Sequence, residues 1–129
     1  MTRLFILSLL VLPLVAAADE HKGKRTELGK QEIAGYTVAV TQIGEPKGGA
    51  ELALEIVLTG GAGKPKAVRA WYGVESAEGT PKAKAVETEK YWDADIELPA
   101  KLPENAKCWI EIETPDGKKK AAFPAPAGK

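Results

Sequence analysis

The sequence predicts an all-β protein, a β-sandwich of two antiparallel sheets built from seven short strands. Apolar and polar residues alternate along most of the chain, which is typical of strands that bury one face. Clusters of Gly, Pro and Asp interrupt the alternation at short intervals, as turns between strands do. Two sheets that face each other bury the apolar side of every strand, so this arrangement satisfies the whole pattern.

The first three predicted strands show the clearest alternation, and they span residues 36–43, 51–59 and 67–74. In the second strand, Leu54 and Ile56 share the face that we expect to point inward. In the third strand, Val68 and Tyr72 are assigned to the inner face, which turns Trp71 outward. Stretches rich in Gly and Pro separate the three strands, and their residues favour turns.

The remaining predicted strands span residues 83–87, 91–98 and 107–114, followed by a last strand that ends at Phe123. The fourth strand, within 83–87, is weak, and the sequence leaves open whether it pairs with the fifth strand or switches sheets to join the third. The sixth strand turns Cys108 and Ile110 inward. Pro115-Asp116-Gly117 predicts a hairpin between the sixth strand and the last one.

Composition divides the chain into four segments: a signal peptide at 1–18, a lead segment at 19–34, the sandwich domain at 35–123 and a Pro/Ala tail at 124–129. The first segment combines Arg3, an apolar run and three alanines before a charged stretch, which is the pattern of a secretory signal. Its apolar run is shorter than the roughly 20 residues that a membrane span needs. We therefore expect a periplasmic or secreted protein with no membrane span in the mature chain. The lead segment is polar without alternation, which predicts disorder.

One stretch of the sequence resembles a known class of sandwich. Leu98-Pro99-Ala100-Lys101-Leu102-Pro103, followed by Ile110 and then Pro115-Asp116-Gly117, is similar to the passage between the fifth and sixth strands of fibronectin type III and other immunoglobulin-like domains. The resemblance implies an immunoglobulin-like fold in which Leu102 closes one end of the core. More narrowly, the chain resembles the small exported bacterial sandwiches grouped as YtkA-like. A fold alone assigns no activity.

Charge and reactive residues argue against nucleic-acid binding and against catalysis. The chain has 18 Lys and Arg against 18 Asp and Glu, a balance that gives no electrostatic case for nucleic acid. The single cysteine, Cys108, excludes an intrachain disulfide. The single histidine, His21, lies outside the predicted domain, so neither a Cys–His pair nor a Ser–His–acid triad can form there. We expect a monomer that binds a partner, with no enzymatic activity and no resident cofactor.

The first candidate site is the outer face of the third and sixth strands. If Val68 and its alternate neighbours point inward, the outward set comprises Arg69, Trp71, Trp109 and Glu111. Tryptophan and arginine are enriched at interaction surfaces, which predicts a protein or glycan partner. Two alternatives stay open: Arg69 covers Trp71 by a cation–π contact, or the phase of the third strand is inverted and Trp71 fills the core.

The second candidate site is the amino terminus that cleavage after Ala18 would create, which begins Asp19-Glu20-His21. A free amine, two backbone amides and an imidazole offer the square-planar nitrogen set that Cu(II) and Ni(II) prefer. The alternative function is therefore a copper-handling protein, and the alternative reading is an ordinary terminal histidine. The acidic face of the fifth strand is interpreted as solvated, with lysines 82 and 84 as its cross-strand partners.

Overall fold

The computed structural model describes residues 23–123, which form two antiparallel sheets. Nine strands lie within these residues: β1 (Arg25–Ile33), β2 (Tyr36–Ile43), β3 (Glu51–Gly60), β4 (Ala67–Gly73), β5 (Ala83–Lys84), β6 (Val86–Glu87), β7 (Trp92–Glu97), β8 (Lys107–Thr114) and β9 (Gly117–Phe123). One sheet has the order β1-β2-β3-β7-β6 and the other the order β5-β4-β8-β9. The predicted all-β sandwich is confirmed, and the predicted count of seven strands is wrong. Within residues 23–123 there is no helix long and apolar enough to cross a membrane.

The strand order is that of an immunoglobulin-like sandwich with one strand added. Strands β2-β3-β7-β6 match the A-B-E-D order of that fold, and β5-β4-β8-β9 match the order C′-C-F-G. The predicted bounds agree with β2 and β8, and they differ by one residue at one end for β3 and β4 and by one residue at each end for β7. Sequence alternation therefore located the central strands closely, because one face of each is buried.

The added strand β1 corrects the prediction that residues 19–34 are disordered. β1 pairs antiparallel with β2 from Arg25 to Ile33, and a two-residue turn with positive φ at Ala34 and Gly35 joins them. The register shifts between Glu27 and Gly29, which is a β-bulge. A bulge breaks the alternation of two, so this edge strand carries no regular apolar pattern in the sequence. Residues 19–22 lie outside the described part, as do the predicted signal peptide and the tail.

The predicted fourth strand is two short strands that belong to different sheets. Ala83 and Lys84 (β5) pair with β4, whereas Val86 and Glu87 (β6) pair with β7. Between them, Ala85 is buried, and its backbone N–H donates to the carbonyl of Val68 at 2.8 Å. Both alternatives that the sequence left open are thus realised, each for half of the segment.

The core lies between the two sheets and is almost wholly apolar. Leu54, Ile96 and Ile110 are buried in it, as the alternation predicts, and Leu102 is partly buried against it. One polar contact lies among these side chains: the Tyr72 hydroxyl donates to Oε1 of the buried Gln42 at 2.9 Å. Burial raises the pKa of Tyr72 well above its ordinary value, so the hydroxyl stays protonated and donates this bond. Gln31 of β1 donates through Nε2 to the carbonyl of Ala122 of β9 at 2.8 Å, and this hydrogen bond joins the two sheets.

Candidate binding surface

Strands β4 and β8 are neighbours, and their register brings the four predicted site residues together on the outer side of the four-stranded sheet. Arg69 lies opposite Glu111, and Trp71 lies opposite Trp109. Their inward neighbours, such as Ala70 and Ile110, are fully buried in the core. The phase assigned to the third strand is therefore correct, and the alternative of an inverted phase is wrong. We call Arg69, Trp71, Trp109 and Glu111 the outer tryptophan face.

The two indoles of this face form a stacked pair that is anchored to the backbone. Their ring centroids are 6.2 Å apart and the ring planes differ by 10°, a geometry that aromatic pairs favour. Trp71 Nε1 donates to the carbonyl of Val74 at 2.7 Å, and Trp109 Nε1 donates to the carbonyl of Gly73 at 3.1 Å. Both ring N–H groups are thus satisfied, and the pair has one orientation.

The expectation that both indoles are exposed is wrong for Trp71, whose exposed fraction is 0%. Trp109 is partly buried. The loop of residues 74–82, which joins β4 to β5, contacts Trp71 at both of its ends, through the Val74 carbonyl and through Lys82 Nζ. Within this loop Thr80 packs directly on Gly73, where a Cβ would lie 2.8 Å from the Thr80 hydroxyl. The absence of a side chain at Gly73 thus permits this close approach.

Lys82, at the end of this loop, makes the cation–π contact with Trp71 that one of the open alternatives gave to Arg69. Lys82 Nζ lies 4.8 Å from the centroid of the Trp71 ring. The same ammonium donates to Glu111 Oε1 at 2.9 Å. Lys82 therefore pairs with a carboxylate of the four-stranded sheet, and its predicted pairing with the acidic face of β7 is wrong. The sequence offered no signal for this role, because the switch between sheets at Ala85 decides on which side Lys82 lies.

Glu111 is the centre of an ion-pair network beneath the face, and it is also buried rather than exposed. It accepts from Lys82 and from Arg69 Nη1, the latter at 3.1 Å, while the same Arg69 atom lies 3.0 Å from Glu113. Burial alone would raise the pKa of Glu111, but the hydrogen bonds and charges of Lys82 and Arg69 outweigh it and lower that pKa. Glu111 is therefore ionised near neutral pH.

A weaker, exposed ion pair joins the two chain segments that neighbour Trp109. Lys120 of β9 and Glu75 of the 74–82 loop approach to 3.8 Å, with side chains 35% and 66% exposed. Lys120 lies two residues before Ala122, which is the β9 partner of Trp109. Glu75 lies two residues after Gly73, whose carbonyl accepts the indole N–H of Trp109. An exposed pair of this kind contributes little to stability, about 0–1 kcal/mol, so it opens readily.

The two outer faces of the sandwich differ in charge, although the whole chain is balanced. Registers, alternation and contacts place more bases than acids on the outer side of the four-stranded sheet: Arg69, Lys82, Lys84, Lys107, Lys118 and Lys120 against Glu75, Glu111 and Glu113. The five-stranded sheet has the opposite excess: Glu27, Glu32, Glu51, Glu55, Asp93, Asp95 and Glu97 against Arg25 and Lys30. The balanced charge of the whole chain does not reveal this separation, because it arises from the alternation of residues within each strand.

The other sequence candidates do not add to this site. Asp19, Glu20 and His21 lie outside the described residues, so the copper or nickel site stays a prediction. Among residues 23–123, no group of three or more His, Cys, Asp or Glu side chains is placed to hold a metal ion. Cys108 is buried, and burial raises the pKa of its thiol to about 12, which keeps the thiol protonated and unreactive.

The outer tryptophan face thus combines a partly open indole, a rigid second indole behind it and a surrounding excess of cations. Such a surface can recognise a partner by stacking and by charge-assisted hydrogen bonds. No family model matches the chain, and comparisons with curated proteins and with solved structures found no match either.

Proposed function

We propose that the protein is an exported, non-catalytic binding module that holds its partner on the outer tryptophan face. The observation that carries this proposal is the stacked pair of Trp71 and Trp109, which lies outside the core on the solvent side of its sheet. The core between the sheets is filled without these two side chains. Two large aromatic side chains beyond the core are therefore better explained by recognition than by packing alone.

The arrangement of the face supports the same proposal. Trp71 is covered and held by the 74–82 loop, whereas Trp109 keeps part of its surface open. The rigid indole behind Trp109 fixes its orientation, so little conformational entropy is lost when a partner stacks on it. The signal peptide predicted at 1–18 supports a site of action outside the cytoplasm.

The test compares ligand capture by the mature protein and by two single variants. Trp109→Thr removes the open indole, and Val57→Thr is the matched control, because Val57 is 39% exposed on the other sheet. Each protein is applied to a glycan array and to an extract of the host's exported proteins with chemical cross-linking. We expect at least one glycan or protein to be retained by the wild type and by Val57→Thr and lost by Trp109→Thr. If every retained ligand binds the Trp109 variant equally well, the proposed function is wrong.

A further inference from the structure

The strand order defines which side of Trp109 is open. In the sequence β5-β4-β8-β9, Lys82 and the start of β5 lie on one side of Trp71, and Trp109 lies on the other. The outward neighbour of Trp109 on β9 is Ala122, a small side chain. The indole surface of Trp109 that is turned away from Trp71 therefore faces the β9 side, where its cross-strand partner is the small Ala122.

Two lysines of β9 lie beside this open side. Lys118 and Lys120 are alternate residues of β9 on the outer face, and both are exposed. Within residues 23–123, Lys120 forms one ion pair, the weak contact with Glu75 at 3.8 Å, and Glu75 is itself 66% exposed. A ligand carboxylate can take the place of Glu75 at little cost, because the pair it displaces is worth about 0–1 kcal/mol.

We propose that the ligand of the outer tryptophan face is an anionic polysaccharide, a polymer whose sugar rings carry carboxylates. This inference rests on the proposed function and names its ligand class. The apolar side of a sugar ring presents C–H groups to the negative face of the Trp109 indole. A carboxylate on the same or the next ring pairs with Lys120 and Lys118. The excess of cations on this face, and the opposite excess on the other sheet, restrict the polymer to this side of the molecule.

An acidic peptide fits the same face less well. Extended peptides are recognised by pairing with a sheet edge or by lying in a groove. Trp109 is on β8, whose backbone is paired along its length with β4 on one side and β9 on the other. An added strand would have to pair with β9, the edge strand one step beyond Trp109, and there the Ala122 carbonyl already accepts from Gln31 Nε2. A flat ring polymer needs only the side-chain surface.

The experiment is affinity electrophoresis of the mature protein in gels that contain one of three polymers. Polygalacturonate is the carboxylated polysaccharide, dextran is a neutral polysaccharide, and poly-glutamate is a polypeptide of the same charge sign. The variants are Trp109→Thr, Lys120→Gln and Glu75→Gln, with Lys30→Gln as the matched control on the outer face of the five-stranded sheet. Far-ultraviolet circular dichroism confirms that each variant is folded.

We expect polygalacturonate alone to retard the wild type. Trp109→Thr weakens the apparent affinity at least about tenfold, and Lys120→Gln weakens it by roughly three- to tenfold. Glu75→Gln strengthens it by roughly two- to fivefold, because the internal competitor for Lys120 has lost its charge. Lys30→Gln leaves it unchanged. The increase with Glu75→Gln is the distinctive result, since a neutral ligand gives no reason for it.

Other outcomes separate the two proposals. Retardation by dextran or by poly-glutamate that depends on Trp109 overturns the anionic polysaccharide and leaves the binding role of the face intact. Retardation by polygalacturonate that survives Trp109→Thr overturns both, because the polymer then binds elsewhere. No retardation by polygalacturonate, or no gain with Glu75→Gln, overturns the inference.

Discussion

Lys82 lies over the indole ring of Trp71, with Nζ 4.8 Å from the ring centroid, and the same ammonium donates to Glu111 at 2.9 Å. One cation at the end of the 74–82 loop therefore covers Trp71 and pairs with the buried carboxylate of Glu111. The loop, the indoles and the ion pairs form one unit. Changes to any of them should affect both stability and the shape of the outer tryptophan face.

Glu111→Gln should destabilise the protein more at neutral pH than in acid. The pKa of Glu111 is lowered in the folded state, so its contribution is fully present above the ordinary carboxyl pKa and is lost as the pH falls through the lowered value. We expect a loss of about 1.5–3 kcal/mol in the free energy of unfolding near pH 7, since the partly exposed Lys82 and Arg69 both lose the buried carboxylate that accepts their hydrogen bonds. Urea unfolding between about pH 3 and pH 7 measures it.

The matched control is Glu113→Gln, because Glu113 pairs with Arg69 but is more exposed. Its loss should be smaller, about 0–1 kcal/mol. Equal losses for the two variants, or a loss for Glu111→Gln that does not shrink in acid, would contradict the role assigned to Glu111.

Thr80→Val should stabilise the protein. The Thr80 hydroxyl is buried and is the one buried side-chain polar atom of residues 23–123 without a hydrogen-bond partner. Valine has nearly the same shape, so the change removes a desolvation penalty of about 1 kcal/mol and keeps the packing on Gly73. Thermal unfolding measures the gain, with the exposed Thr59→Val as the control. A lower melting temperature for Thr80→Val would show that the hydroxyl bonds to a partner.

Leu28→Ala should be costly, because it tests whether β1 belongs to the fold. Leu28 is 8% exposed and belongs to the core cluster, so truncation should lower the free energy of unfolding by about 2–4 kcal/mol. Val86→Ala, at a residue 65% exposed, should cost less than about 0.5 kcal/mol. Chemical denaturation of both variants gives the comparison. Similar, small effects would instead agree with a disordered lead segment.

Cys108 should resist thiol reagents in the folded protein and react fully in denaturant. The side chain is wholly buried and its pKa is raised to about 12, so thiolate and access are both lacking. Ellman's reagent at about pH 8 measures the two rates. Rapid labelling of the native protein would mean that the four-stranded sheet opens near β8.

The sequence predicted the sandwich well because burial of one face leaves a visible period of two. The bounds of β2 and β8 and the inward set on β4 follow from that period alone. The period of two does not reveal β1, because its bulge shifts the phase of the alternation near Leu28. The period also does not reveal the split of 83–87 into β5 and β6, because strands of two residues are too short to show any period.

For the site, alternation was sufficient to bring Arg69, Trp71, Trp109 and Glu111 onto one face, but not to tell which are exposed. Exposure depends on the 74–82 loop, whose Lys82 lies over the Trp71 ring and whose Thr80 packs on Gly73. A loop that folds back over a sheet leaves no periodic trace. The separation of charge between the two outer faces was equally hidden, since it appears only when alternate residues are assigned to faces.

The proposed binding role of the outer tryptophan face is tested most directly by fluorine NMR of the protein labelled with fluorotryptophan. The sequence contains three tryptophans, and Trp92 packs against the core from the other sheet, so it serves as an internal control. Single Trp→Phe variants assign the three signals. On addition of polygalacturonate, or of whichever ligand the capture experiments identify, we predict a shift of the Trp109 signal, a smaller one for Trp71 and none for Trp92. A Trp109 signal that does not shift while the ligand is bound would contradict the proposed binding role of this face.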